Sequence, residues 1–122
     1  MLRTGKFTEC CAPKPELGAR ALISHLQAAD LGGLFKVLAN DTRLRLLHAL
    51  ARSGELCVSE LAEALDMKPQ AVSNQLQRLA ARGILASKRN GTSIRYRIVD
   101  TCVTNLLDQG LCLLEDAKER TR

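Results

Sequence analysis

The chain has 122 residues, enough for one hydrophobic core and too few for two separate ones. Hydrophobic residues at 46% and charged residues at 25% exclude a disordered chain, and aromatics at 2% leave the core to Leu, Ala, Val and Ile, a helix-leaning set. The net charge of +5 is uneven: seven of the 18 basic residues lie between Lys68 and Val99, where there is no acid, which marks a polyanion-binding face and not a merely solvated surface.

The opening residues, MLRTGKFTECC, lack the apolar run of a signal peptide, and no stretch approaches the roughly 18 apolar residues of a membrane span. A cytoplasmic location is therefore expected. Residues 1–16 carry Cys10, Cys11, Pro13 and Pro15 without helical period and read as a flexible arm ahead of one folded unit over 17–118. From Leu17 the pattern turns helical, with Leu22, Ile23, Leu26 and Ala29 at helical spacing. Gly32-Gly33 predicts a break or bend, after which Leu34, Phe35, Val37 and Leu38 continue the apolar face. Asn40-Asp41-Thr42 supplies a turn and cap for a helix buried through Leu44, Leu47, Leu50 and Ala51, and Ser53-Gly54 ends it. Ser59 is placed to cap a short helix with Leu61, Ala62 and Leu65 inward.

Pro69 then opens a helix running to about Arg82, with Val72, Leu76 and Leu79 facing the core and Gln70, Ser73, Asn74 and Gln77 along another side. Residues 84–87 and 94–98 read as two strands joined by a hairpin tip at 89–92. Asp100-Thr101 opens a last helix whose stripe of Val103, Leu106, Leu107, Leu111 and Leu114 has little intrachain core left to cover, so it suits pairing with a second copy.

Two short helices followed by a basic hairpin make a winged helix-turn-helix: mainly α, with a small β-hairpin wing. The second helix carries side chains that reach base edges and phosphates. Gln70, Ser73, Asn74, Gln75, Gln77 and Arg78 are its candidates, Lys68 stands where the helix N-terminus meets phosphate, and Lys88, Arg89 and Arg95 belong to the wing. Double-stranded DNA is the partner this implies.

Five cysteines in a reducing compartment are not disulfides by default, and their odd number without a CxxC pair argues against a zinc ribbon or a thioredoxin-like centre. Soft thiolates select soft ions, and three of them suit As(III), Pb(II) or Hg(II), or Cd(II) with a fourth ligand. Adjacent Cys10 and Cys11 have no packing reason to sit in an arm, whereas Cys57 alone could be a small core residue. Cys102 and Cys112, ten residues apart on one helix, are separated by about 15 Å and cannot share an ion within a chain, although a dimer partner could bring them nearer. Core packing is the expectation for Cys112, and Cys102 is a weaker metal candidate. His25 and His48 fall on helical faces and read as structural. No cysteine stands in a motif with His and Asn or Asp, so a thiol enzyme is not expected.

The segments LFKVLANDTRLRLLHAL, ELCVSELAEALDM, QAVSNQLQRLAARGIL and GTSIRYRI together resemble the ArsR/SmtB metal-sensing winged-helix repressors, from roughly Asp30 to the C-terminus. The resemblance implies a homodimer formed by first and last helices, bound to a short inverted repeat and released when a metal or metalloid binds. Thiolate-sensing members carry ELCVCDL where this chain has Glu55-Leu56-Cys57-Val58-Ser59-Glu60-Leu61, so Cys57 matches the first ligand and Ser59 replaces the second. Such members draw further thiolates from an N-terminal arm, which puts Cys10 and Cys11 beside Cys57 as the metal set for As(III), Sb(III), Hg(II), Cd(II) or Pb(II). Zinc sensors use an Asp-x-His…His-x-x-Glu set on the last helix; Asp100 and Cys102 fit its beginning, but Leu113 and Asp116 occupy the later positions, so no zinc or cobalt site is expected there. Two alternatives keep the fold: a thiol-redox or reactive-sulfur sensor, and a DNA-binding protein without an inducer.

Overall fold

The computed structural model describes residues 14–120. It is mostly helical with one small antiparallel sheet, as the sequence pattern predicts. The first helix starts later than the periodicity suggests. Leu17–Ala19 forms a single 3-10 turn, and α1 spans His25–Leu38. A reciprocal cap sets that start: Gln27 N–H donates to Ser24 Oγ (3.1 Å) and Ser24 N–H donates to Gln27 Oε1 (3.0 Å). Leu22 and Leu26 are 95% and 80% exposed, so no intrachain surface drives the preceding residues into helix. The break expected at Gly32-Gly33 does not occur; α1 runs through both.

Asn40 caps α2 (Asp41–Ser53) by accepting from Arg43 N–H at 3.0 Å. Leu46, Leu47 and Leu50 are its fully buried positions, while Leu44, expected inside, faces out. A two-residue strand, β1 (Leu56–Cys57), follows, and then α3 (Val58–Leu65). Here the expected cap is displaced. Cys57, not Ser59, is the N-cap, and the Glu60 carboxylate accepts Cys57 N–H at 2.9 Å. Asp66 turns the chain in the left-handed region (φ 55°), and Lys68-Pro69 opens α4 (Pro69–Ala81).

Strands β2 (Leu85–Asn90) and β3 (Ser93–Ile98) pair from Leu85↔Ile98 to Asn90↔Ser93, longer than the sequence suggests. Their two-residue loop needs a positive φ at its first position, which Gly91 supplies (φ 69°) without a side-chain clash. On its other edge β3 takes β1, with Leu56↔Tyr96 and Cys57↔Arg95, so the sheet order is β1-β3-β2. The chain ends in α5 (Thr101–Arg120), as the stripe predicts.

The core joins α2, α3, α4 and the sheet through Leu46, Leu47, Leu50, Leu61, Leu76 and Leu79, with Tyr96 behind them. Leu46 is 0% exposed. Leu46→Ala removes its methyl groups and leaves a void, so it is expected to lower unfolding free energy by about 2–5 kcal/mol in urea titration, with an unchanged m-value.

Candidate nucleic-acid interface and thiol site

Helix α4 divides into two faces. Val72, Leu76 and Leu79 are fully buried, which locks the helix rotationally. Gln70, Asn74, Gln77 and Arg78 are exposed on its far side, with Ser73 half-buried beside them. Two rungs one turn apart order that face: Gln70 Nε2 donates to Asn74 Oδ1 (3.1 Å), and Gln77 Nε2 donates to Ser73 Oγ (3.3 Å). The first rung leaves the Gln70 carbonyl and the Asn74 amide N–H groups unspent, an acceptor and donor pair of the kind an adenine edge takes. Lys68 is exposed at the N-cap, where the helix dipole already favours an anion.

Two of the residues read from sequence as DNA contacts are engaged within the protein. Gln75 is half-buried, and its Oε1 accepts from Arg43 Nη1 at 2.7 Å. Arg95 is turned toward acids: its Nε lies 3.1 Å from Glu55 Oε1 and its Nη2 3.5 Å from Glu60 Oε1, and Nη2 also donates to the Glu55 carbonyl (3.1 Å). Lys88 and Arg89 project freely from the wing, as expected. Arg97, which the sequence places in the basic block but not among the named contacts, joins them in being exposed. Arg95 and Arg97 share the strand face opposite buried Tyr96, but β1 reaches only as far as Arg95, bringing Glu55 with it. A two-residue strand carries too little pattern to be seen beforehand.

Cys57 sits at this junction, half-buried, with Sγ 3.2 Å from Ser59 Oγ. The Glu60 carboxyl beside it is held below the usual range, first by the Cys57 N–H donated to it, then by the Cys57 thiol and the Arg95 charge. Cys10 and Cys11 lie outside the described residues. Among the described residues no three His, Cys, Asp or Glu side chains gather to hold an ion, so any thiolate set built on Cys57 draws its other donors from elsewhere. Cys102 and Cys112 are both exposed on α5. For Cys112 this corrects the core expectation: the intrachain core takes Val103 and Leu107 instead. Its thiol is pushed up, chiefly by the Asp116 carboxylate, to which Sγ donates at 3.8 Å, and also by Glu115 and Asp108.

An apolar groove of ≈ 590 Å³ runs between α1, α2 and α5, lined by Phe35, Leu38, Leu44, His48, Leu107 and Leu111. Leu113 and Leu114 continue it, 63% and 57% exposed. No helix among the described residues is long and apolar enough to cross a membrane.

This arrangement has known counterparts. Residues 40–87 match the family described as "Bacterial regulatory protein, arsR family". The crystal structure of the AntR antimony-specific transcriptional repressor is 63% identical, with a TM-score of 0.75, over 89% of this chain and 98% of that one. A homodimeric winged helix-turn-helix DNA-binding domain from Mycobacterium bovis, solved by NMR, is 33% identical with a TM-score of 0.69 and is matched over 95% of its length and 83% of this chain. The cadmium resistance transcriptional regulatory protein CadC of Listeria innocua is 29% identical over 98 residues, 80% of this chain and 82% of that protein.

Proposed function

The chain belongs to the ArsR family of bacterial regulatory proteins, and from that premise we propose that it is a metal(loid)-responsive repressor which holds operator DNA as a homodimer. The observation that carries this reading is the two-faced α4: its apolar side is fixed in the core while its amide side stands exposed next to a basic wing. In the dimer, α1 and α5 of two copies cover the exposed Leu22, Leu26, Phe35, Leu113 and Leu114. The paired α4 helices then enter major grooves about 34–36 Å apart. Gln70 and Asn74 read base edges, Ser73 and Gln77 flank them, and Lys68, Arg78, Lys88, Arg89 and Arg97 meet phosphates.

The inducer is a thiophilic ion. Cys57 provides one thiolate from a partly covered position, and Cys10 and Cys11 supply the others. AntR and CadC are named for antimony and cadmium, and the same donor chemistry admits As(III), Hg(II) and Pb(II). The ion supplies strong bonds to sulfur that tether the arm. The protein's part is to convert that tether into a shift of α3 and the wing, because Cys57 caps α3 and pairs with Arg95 in the sheet. Exposure of Cys102 and Cys112 on the helix with the uncovered stripe supports a second placement, with thiolates of two subunits meeting across the dimer.

Fluorescence anisotropy of reduced full-length protein on a labelled promoter duplex tests the reading. Affinity is expected to fall steeply with salt and to drop on adding antimonite, arsenite or cadmium. Arg89→Ala is expected to weaken all duplexes alike and to lower the slope of log affinity against log salt by about 1. Affinity indifferent to salt removes the DNA half of the proposal, and indifference to every soft ion removes the inducer.

A further inference from the structure

Arg43 is the one charged side chain that is buried among the described residues, at 9% exposure. Its guanidinium does two jobs. Nε donates to the carbonyl of Val37 at 2.6 Å, a group of the last turn of α1 with no partner inside the helix. Nη1 donates to Gln75 Oε1 at 2.7 Å, halfway along α4. Burying a cation is costly unless its donors are satisfied, and here they are spent on tying two helices together.

A second guanidinium, that of exposed Arg82, lies in contact with α1. Arg82 is the C-cap of α4. A Cβ placed on Gly33 would lie 3.2 Å from Arg82 Nη2 and 3.4 Å from Nη1, so the Arg82 head lies against the backbone of α1 where a side chain is missing. An alanine at Gly33 would make that head give way by a few tenths of an ångström. The two links are one turn apart on α1 and seven residues apart on α4, about 10 Å. One link permits α4 to pivot; two separated links resist rotation.

The geometry points to Arg43 and Arg82 as a two-point brace that sets the orientation of α4 against α1, making Arg43, Gly33 and Arg82 positioning residues for operator discrimination. This rests on the reading above, in which α4 enters the groove and α1 lies at the dimer contact. Amide-to-base bonds fail with small misplacements, whereas long lysine and arginine side chains follow phosphates through the same displacement. Loosening the brace therefore lowers discrimination and leaves non-specific affinity in place.

The test uses full-length reduced protein and two duplexes: one selected by the wild type from a random pool, and a scrambled version. Gly33→Ala improves helix propensity, so its Tm rises while the ratio of the two affinities falls by about fivefold, with no change in salt slope. A purely structural role moves Tm and discrimination together. Gln75→Met lowers the ratio in the wild type and produces no further fall on an Arg43→Met background, because the same link is already cut. Should Arg43→Met not fold, Arg43→Lys, which keeps the charge but has one nitrogen in place of the fork that reaches both Val37 and Gln75, replaces it in the cycle. An unchanged ratio in Gly33→Ala overturns the Arg82 half, and an equal fall from Gln75→Met on both backgrounds overturns the Arg43 half. The Arg43 Nη1–H resonance reads the Gln75 link without DNA: it is slow to exchange in the wild type and fast in Gln75→Met. Fast exchange in the wild type also overturns the brace, while a wild type that binds neither duplex removes the DNA reading alone.

Discussion

Replacing Cys10, Cys11 and Cys57 together by Ser is expected to leave ion-free operator binding intact and to abolish release by antimonite, arsenite and cadmium. Serine keeps the size of the side chain and discards the soft donor. At position 57 its hydroxyl can take the contact that Sγ makes with Ser59 Oγ at 3.2 Å, and the cap of α3 survives because Glu60 binds the backbone N–H. The apo fold and the amide face of α4 are therefore undisturbed. In the wild type the ion is expected to weaken operator binding about 5- to 150-fold, the range that 1–3 kcal/mol of coupling gives. Anaerobic titration, with sulfur-to-metal absorption and operator anisotropy read from one cuvette, measures both site and response. A triple variant that still releases DNA places the site elsewhere, and Cys102→Ser and Cys112→Ser then decide whether α5 holds it. The raised Cys112 thiol predicts that an α5 site would load more fully as pH rises, since the proton must leave before sulfur can bind.

The second large effect falls on sequence discrimination. Gln70→Ala combined with Asn74→Ala removes the outward acceptor and donor that the first rung of α4 presents. A good bidentate base contact supplies about 1–3 kcal/mol, so the pair is expected to cost the selected duplex about 10- to 150-fold in affinity. Scrambled DNA, held through phosphates, should be nearly unaffected. Both side chains are exposed, so Tm is expected to stay within about 2 °C. Equal losses on both duplexes would mean that these amides do not read bases.

Much of this architecture is legible in the residues, and the misses share a physical cause. Helices that bury a face announce it: Val72, Leu76 and Leu79 fall at helical spacing because each meets the core, and all three are fully buried. Helix α1 starts later than the rhythm predicts because Leu22 and Leu26 keep the helical spacing without any intrachain surface to pack on. Rhythm that meets no surface of its own chain says nothing about local backbone. Gly32-Gly33 reads as a break because propensity considers the helix alone, whereas Gly33 answers to Arg82 across the fold. The candidate interface divides in the same way. The exposure of Gln70, Asn74 and Arg89 follows from type and position. Arg95 and Gln75 depart from that pattern because each bonds a residue far off in the chain, Glu55 and Arg43, 40 and 32 residues away. Charge in a sequence shows that a cation exists but not which anion has already claimed it.

The three-stranded sheet carries one practical consequence. Because β1 pairs with β3 at Tyr96 and Arg95, and Arg95 stands only two residues from the Asn90↔Ser93 rung, the hairpin tip and Cys57 share one short ladder. Exchange of Gly91 and Thr92 alone keeps that ladder, whereas a new hairpin reaching Arg95 would also replace the partner of Cys57. If the wing meets DNA and Cys57 meets the inducer, a biosensor builder has to tune promoter choice and chemical trigger together and not as two independent ends of the ribbon.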